Sequence, residues 1–328
     1  MKYRTVARET RRDFRVPPRE LWDALANTDH VDRWIGLPHV AYGPLTVTAD
    51  AFYREARAGL GRLLRFTWRE YPFEWVRDER YSVVRLFEAG PWSAFYGGVE
   101  IGGDAATSRL RVFAELTPRT ALGWLVARRM VAKGIRDVLA YCDEVVALRS
   151  SGLDIRLPPP ARVTPVDGQR LEALAAALRV EGIDERLVAR FARHLRTGSD
   201  AEVLRMQPFG LADAWGADRS DVLRLLVQAE RQGAAYHTWE VMCPNCRVAA
   251  TRATRLDGVP ERFHCDGCGV AYDADLERWV ELRYSIDARL RAAKDDVYCI
   301  GGPANTPHIW AQHYLLPGTE RLWSVGLP

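Results

Sequence analysis

Hydrophobic and polar positions along this chain alternate with two periods, and the switches between them mark its segments. A strand is predicted over 5–16, ending at Pro17-Pro18; Leu21, Trp22 and Leu25 then fall at helical spacing over 19–26. Asn27-Thr28-Asp29 stops that helix and caps a second short one over 30–35. Strand-like runs follow, among them 63–70, 73–87, 93–101 and 108–117, with Gly97-Gly98 and Gly102-Gly103 as bends or turns. One long helix then opens at Pro118 and Thr120 and carries an apolar stripe of Leu125, Val131, Ile135, Val138, Leu139, Cys142, Val145 and Val146. Three prolines within 157–161 forbid helix and read as an extended linker.

Beyond the linker the period is helical again, over 170–178 and 184–195. The stretch 208–233 is organised as a helix-turn-helix: one helix over 209–215 stops at Gly216, and Asp218 or Ser220 caps a second. That second helix turns Val222, Leu223, Leu226 and Ala229 to a core before Gly233 ends it. A strand over 235–242 takes the place of a wing. Residues 279–285, 297–300 and 308–315 also read as strands.

The sharpest chemical signal is a double Cys-x-x-Cys pattern, Cys243-Pro-Asn-Cys246 and Cys265-Asp-Gly-Cys268, each pair on a tight-turn sequence. The spacing suits four thiolates around one structural zinc ion, Zn2+, with no open position for a catalytic water. Two disulfides or a redox dithiol are the other readings. Residues 248–263 alternate loosely around Asp257-Gly258, a hairpin signal, so the expected module is a zinc ribbon. His264 adjoins Cys265 and is read as an exposed strand-end histidine; Cys142 and Cys299 are isolated.

At 328 residues, 48% hydrophobic and 27% charged, the chain has room for two or three domains of a globular protein. No apolar leader and no run of eighteen apolar residues occurs, so no membrane span is expected, and the cysteine usage suits a reducing, cytoplasmic setting. Formal charge is +3, and residues 161–240 hold eleven Arg against twelve Asp or Glu, so no nucleic acid is expected as a partner. Asp29, His30, Asp32 and Arg33, beside Trp34, read as caps and solvated side chains of a surface helix.

The element order of strand, two short helices, antiparallel strands and a long closing helix is that of the helix-grip fold. The passage 16–34, Val-Pro-Pro-Arg-Glu-Leu-Trp-Asp-Ala-Leu-Ala-Asn-Thr-Asp-His-Val-Asp-Arg-Trp, resembles the opening of START-like (SRPBCC) ligand-binding proteins related to polyketide cyclases. The resemblance implies a pocket for an apolar small molecule or lipid, for which Trp34, Phe66, Trp68, Phe95, Tyr96 and Phe113 are the candidate lining. The second half, with Leu211-Ala-Asp-Ala-Trp-Gly216, the two cysteine pairs, Cys299-Ile-Gly-Gly-Pro303 and Thr306-Pro307-His308, is similar to an uncharacterised bacterial domain. In that family the domain lies upstream of class III adenylate or guanylate cyclase catalytic domains.

The expected fold class is therefore α+β and multidomain. It comprises a START-like helix-grip domain over 1–151, a linker over 152–168, a winged-helix-like helical domain over 169–242, an inserted zinc ribbon over 243–268 and a β-rich segment over 269–328. Nothing after Cys268 has the length or paired aspartates of a cyclase catalytic domain, so no catalytic residues are assigned. The apolar end, Leu322-Trp-Ser-Val-Gly-Leu-Pro328, suggests a truncated chain. The expected role is a non-catalytic regulatory region that senses a ligand and acts on a cyclase catalytic domain in cis or in trans. A homodimer is left open, and a ligand-responsive winged-helix transcription regulator is the alternative.

Overall fold

The period-2 alternation of the first half closes into one antiparallel sheet. In the computed structural model the described residues are 4–48, 52–60, 64–150, 158, 163–244, 249–265, 270–294, 296–306, 309–315, 318–320 and 322. Strand β1 (Val6–Phe14) leads into helices α1 (Pro18–Leu25) and α2 (Thr28–Trp34). Pro18 starts α1, whose Leu21, Trp22 and Leu25 are buried as their spacing predicts, and the Asn27 side chain caps α2 by accepting from the His30 amide. Then come β2 (Val40–Val47), β3 (Phe52–Leu60), β4 (Leu64–Glu70), β5 (Glu74–Val76), β6 (Arg80–Phe87), β7 (Trp92–Gly103), β8 (Ser108–Pro118) and helix α3 (Ala121–Ser150). The sheet order is β1-β8-β7-β6-β4-β3-β2, and α3 packs on β8, β1 and α1. A long helix laid on an antiparallel sheet is the helix-grip arrangement that the element order predicts.

Three local expectations are corrected. The run 73–87 is two strands, because Asp78 takes φ 63° and turns the chain between β5 and β6. Gly97 and Gly98 lie inside β7 rather than at a bend; a Cβ on Gly98 would stand 2.1 Å from the Tyr81 carbonyl oxygen, so close strand approach requires the glycine. Leu125 is 42% exposed, because the buried stripe of α3 runs through Ala127, Val131, Ile135, Leu139, Cys142 and Val145, out of phase with it.

Residues 162–295 form a second compact unit; the first comprises 1–161 and 296–328. The second unit holds α4 (Gly168–Val180), α5 (Glu185–Thr197), α6 (Asp200–Val203), α7 (Pro208–Trp215) and α8 (Arg219–Arg231). It continues with β9 (Ala235–Met242), β10 (Ala249–Ala253), β11 (Arg262–Cys265), β12 (Val270–Asp273), α9 (Leu276–Trp279) and β13 (Val280–Ile286). Gly216 ends α7 in the left-handed conformation and the Asp218 carboxylate caps α8, as predicted. Val222, Leu225, Leu226 and Ala229 join Leu171, Leu178, Leu187, Phe191 and Leu195 in the core of this unit.

The predicted ribbon hairpin around Asp257-Gly258 is not among the pairings: β10 pairs with β9, β11 with β12, and residues 256–258 form a 3-10 turn. The linker prolines other than Pro158, as well as Pro307, His308 and 323–328, lie outside the described residues.

From Asp296 the chain belongs to the first unit again. There β14 (Ala311–Gln312) pairs with β5 and brings the sheet to nine strands. The predicted strand at 297–300 is absent. The amides of Tyr298 and Cys299 donate to the Asp29 carboxylate, 2.6 and 3.0 Å away, instead of to a neighbouring strand.

Candidate functional site

Register decides which side chains meet on the inner face of the sheet. One cross-strand row runs Tyr42, Ala56, Trp68, Phe87; the next runs Arg54, Glu70, Arg85, Phe95, Leu116. The alternation Phe66-x-Trp68-x-Glu70 on β4 and Tyr81-x-Val83-x-Arg85-x-Phe87 on β6 therefore carries a carboxylate and a guanidinium into an otherwise apolar face. Arg85 Nε donates to Glu70 Oε2 at 2.8 Å, and Trp68 Nε1 donates to the same oxygen at 3.3 Å. The guanidinium also lies 5.7 Å from the ring centroids of both Trp68 and Phe95. Glu70 is buried, so its pairing with Arg85 is what makes its position tenable.

Helix α2 brings Asp32 to this pair. Burial pushes the Asp32 carboxyl up to about 7, against a weaker downward pull from Arg85, with Glu70 and Asp29 adding to the rise. The Tyr42 hydroxyl is buried and has no hydrogen-bond partner among the described residues; burial and the Glu70 charge push it above the ordinary phenol range. Burial, then Glu70 and Asp32, likewise raise the Cys299 thiol. Trp34, Asp32, Tyr42, Arg85, Phe87 and Phe95 stay partly exposed although they belong to this inner region. Asp32, Tyr42, Glu70 and Arg85 thus set polar atoms among the aromatic rings of a half-buried face.

Of the predicted lining, Phe66 and Trp68 are buried on the inner face, Phe66 stacked on Trp92 with ring centroids 5.4 Å apart. Phe95 shares that face, and Trp34 meets Tyr141 edge-on. Tyr96 and Phe113 do not join them. They pair with each other on the opposite face, where Tyr96 is 41% exposed and Arg111 covers Phe113, since each is one residue out of phase with the inward set.

Asp29 and Arg33, read as solvated, instead hold the returning chain, and Asp32 is half-buried near Arg85 and Glu70. Glu70, Arg85 and Tyr42 were missed. A charge in phase with an apolar alternation was the available signal for the first two.

The expected structural zinc is corrected. Among the described residues no group of three or more His, Cys, Asp or Glu could hold a metal ion. Cys243 and Cys265 are buried together in a small cluster with Ala250 and Tyr272, while Cys246 and Cys268 lie outside the described residues. A closed tetrahedral centre needs four donors, and the described part supplies an apolar contact around two sulfurs. His264 is exposed on β11, as expected.

Among solved structures, this chain is similar to the Zhui aromatase/cyclase from Streptomyces sp. R1128, at 12% identity and TM-score 0.34 over 46% of this chain and 99% of that one. It is also similar to the Mll3558 protein from Rhizobium loti, at 18% identity and TM-score 0.31 over 42% and 95%. A third is the di-domain ARO/CYC StfQ from the steffimycin biosynthetic pathway, at 18% identity and TM-score 0.30 over 44% and 45%. At these scores the architecture rests on its own strand pairings and on the packing of α3. No curated protein matches. Residues 169–297, less than half of the chain, match a family of unknown function, DUF5939.

Proposed function

We propose that the first unit is a receptor for one small molecule with an apolar body and a polar group, and that the chain acts by sensing it rather than by catalysis. The observation that carries this reading is the polar cluster of Asp32, Tyr42, Glu70 and Arg85 among the aromatic rings of the inner sheet face. Rings supply area for an apolar body, and the buried Tyr42 hydroxyl, without a partner among the described residues, would gain a hydrogen bond from a polar group brought beside it. The output is a class III cyclase catalytic domain, in cis or in trans, as the sequence resemblance implies. The helix pair α7 and α8 serves as scaffold: Arg219 on α8 is engaged by Asp213 at 3.0 Å and Arg224 by the Glu181 carbonyl oxygen at 3.1 Å, which supports a role other than reading DNA.

Native mass spectrometry of protein purified from a bacterial lysate, followed by solvent extraction, tests the receptor reading. One small molecule per chain is expected. The variant Ala58→Trp, which places an indole on the inner face beside Phe66, should be empty yet still melt cooperatively. A wild-type protein that is always empty and also binds no neutral aromatic compound would end the proposal.

A further inference from the structure

The chain that returns at Asp296 is fitted against the same helix that carries Asp32. Val40 donates its amide to the Val297 carbonyl oxygen at 2.7 Å, and the Ala304 amide donates to the Ala26 carbonyl oxygen at 3.1 Å. Asp29 accepts from the amides of Tyr298 and Cys299. Arg33 donates to the Asp296 carbonyl oxygen at 2.8 Å and lies 4.7 Å from the Tyr298 ring centroid. Gly301 and Gly302 let the backbone into a notch: a Cβ would stand 2.6 Å from the Phe73 ring at the first and 2.1 Å from Thr28 Oγ1 at the second.

This seating delivers Cys299 into the core of the first unit, close enough for its charge environment to include Glu70, Asp32 and Arg85. The returning segment thus packs against α2 and adds Cys299 to the core of the first unit. Over 296–306 its buried residues are Cys299, Gly302 and Pro303, so polar contacts and close fit, rather than a large apolar face, hold it in place. Segments held in this way open at lower free energy than the core they lie on.

We propose that residues 296–306 form a releasable wall of the first unit, latched by Asp29, and that α2 couples the latch to whatever binds beside Asp32. The coupling rests on the receptor reading; the release does not. Asp29 and Arg33 sit one turn apart on a two-turn helix that also presents Asp32, so a ligand that shifts α2 alters the acceptor on which the wall hangs.

Cys142 and Cys299 lie buried in the same core, one on α3 and one on the wall, and so serve as paired reporters. Full-length protein is treated with N-ethylmaleimide under native conditions, and labelling of each cysteine is followed by peptide mass spectrometry. Cys299 should react at least about tenfold faster than Cys142. Asp29→Ala should speed Cys299 by about tenfold more without changing Cys142, since two amides lose their acceptor. Asp29→Asn, which keeps an accepting oxygen, should stay near wild type. Equal rates at the two cysteines, or an Asp29→Ala effect shared equally by both, would overturn the wall. Saturating 2-acetylnaphthalene should change the Cys299 rate at least about threefold. A rate that responds to Asp29→Ala but not to this probe, in protein that purifies empty and binds no neutral aromatic compound, keeps the wall and removes the receptor reading; binding without a rate change removes the coupling.

Discussion

Asp32 is the residue whose chemistry departs furthest from what its position in the sequence announces. Its carboxyl sits at about 7 in the folded protein, against 3.8 ordinarily, because desolvation penalises the charged form more than Arg85 rewards it. The sign follows directly. The folded state binds the proton more tightly than the unfolded chain, so the stability due to this group is complete below about pH 4, falls as pH rises, and is gone above about 7. Asp32→Asn removes the titration. Relative to wild type, the variant should gain roughly 2–3 kcal/mol between pH 5 and pH 8, at about 1.4 kcal/mol per unit of pH. Urea unfolding at the two pH values measures the gain, and the same difference at both would place the carboxyl in ordinary solvent. Reading Asp32 as a solvated cap fails for a definite reason: the sequence gives its helix but not the sheet face that the helix covers.

Among the elements, the long strongly patterned ones were legible and the irregular ones were not. Strand β8, helix α1 and the α7–α8 pair follow from period and caps alone, because each buries a regular set of side chains. Strands β2 and β3 were not singled out; Gly43 and Pro44 interrupt one, at a register shift between Tyr42 and Leu45, and Arg54, Glu55 and Arg57 break the apolar signal of the other. Gly98 shows how a turn signal misleads, since its lack of a side chain serves a close strand crossing. Replacing it with Ala should cost more than about 3 kcal/mol in the first unit, because the nearest atoms are backbone of β6 and cannot rotate away. Thermal unfolding followed at the first unit's tryptophans should show the loss, and a shift under about 1 kcal/mol would contradict the close approach.

At the scale of the whole molecule, the chain makes its first unit from two separated stretches and its second from the stretch between them. Each unit has its own core. Residues 163–295 alone should therefore unfold cooperatively, whereas ending the chain at 295 should lower the melting temperature of the first unit by several degrees while sparing the second. Circular dichroism melts of the two shortened chains check both, and a non-cooperative 163–295 would contradict an independent core. Among the described residues no helix is long and apolar enough to cross a membrane. The sequence by itself determined the helix-grip element order, the helical pair and the placing of most aromatic residues in strands, because these depend on period, caps and turn residues within short windows. Tertiary structure alone decided that Glu70 and Arg85 face each other, that Tyr96 and Phe113 face outward, and that 296–306 returns to Asp29. Those outcomes depend on strand register and on contacts between residues more than two hundred positions apart, which no local pattern encodes.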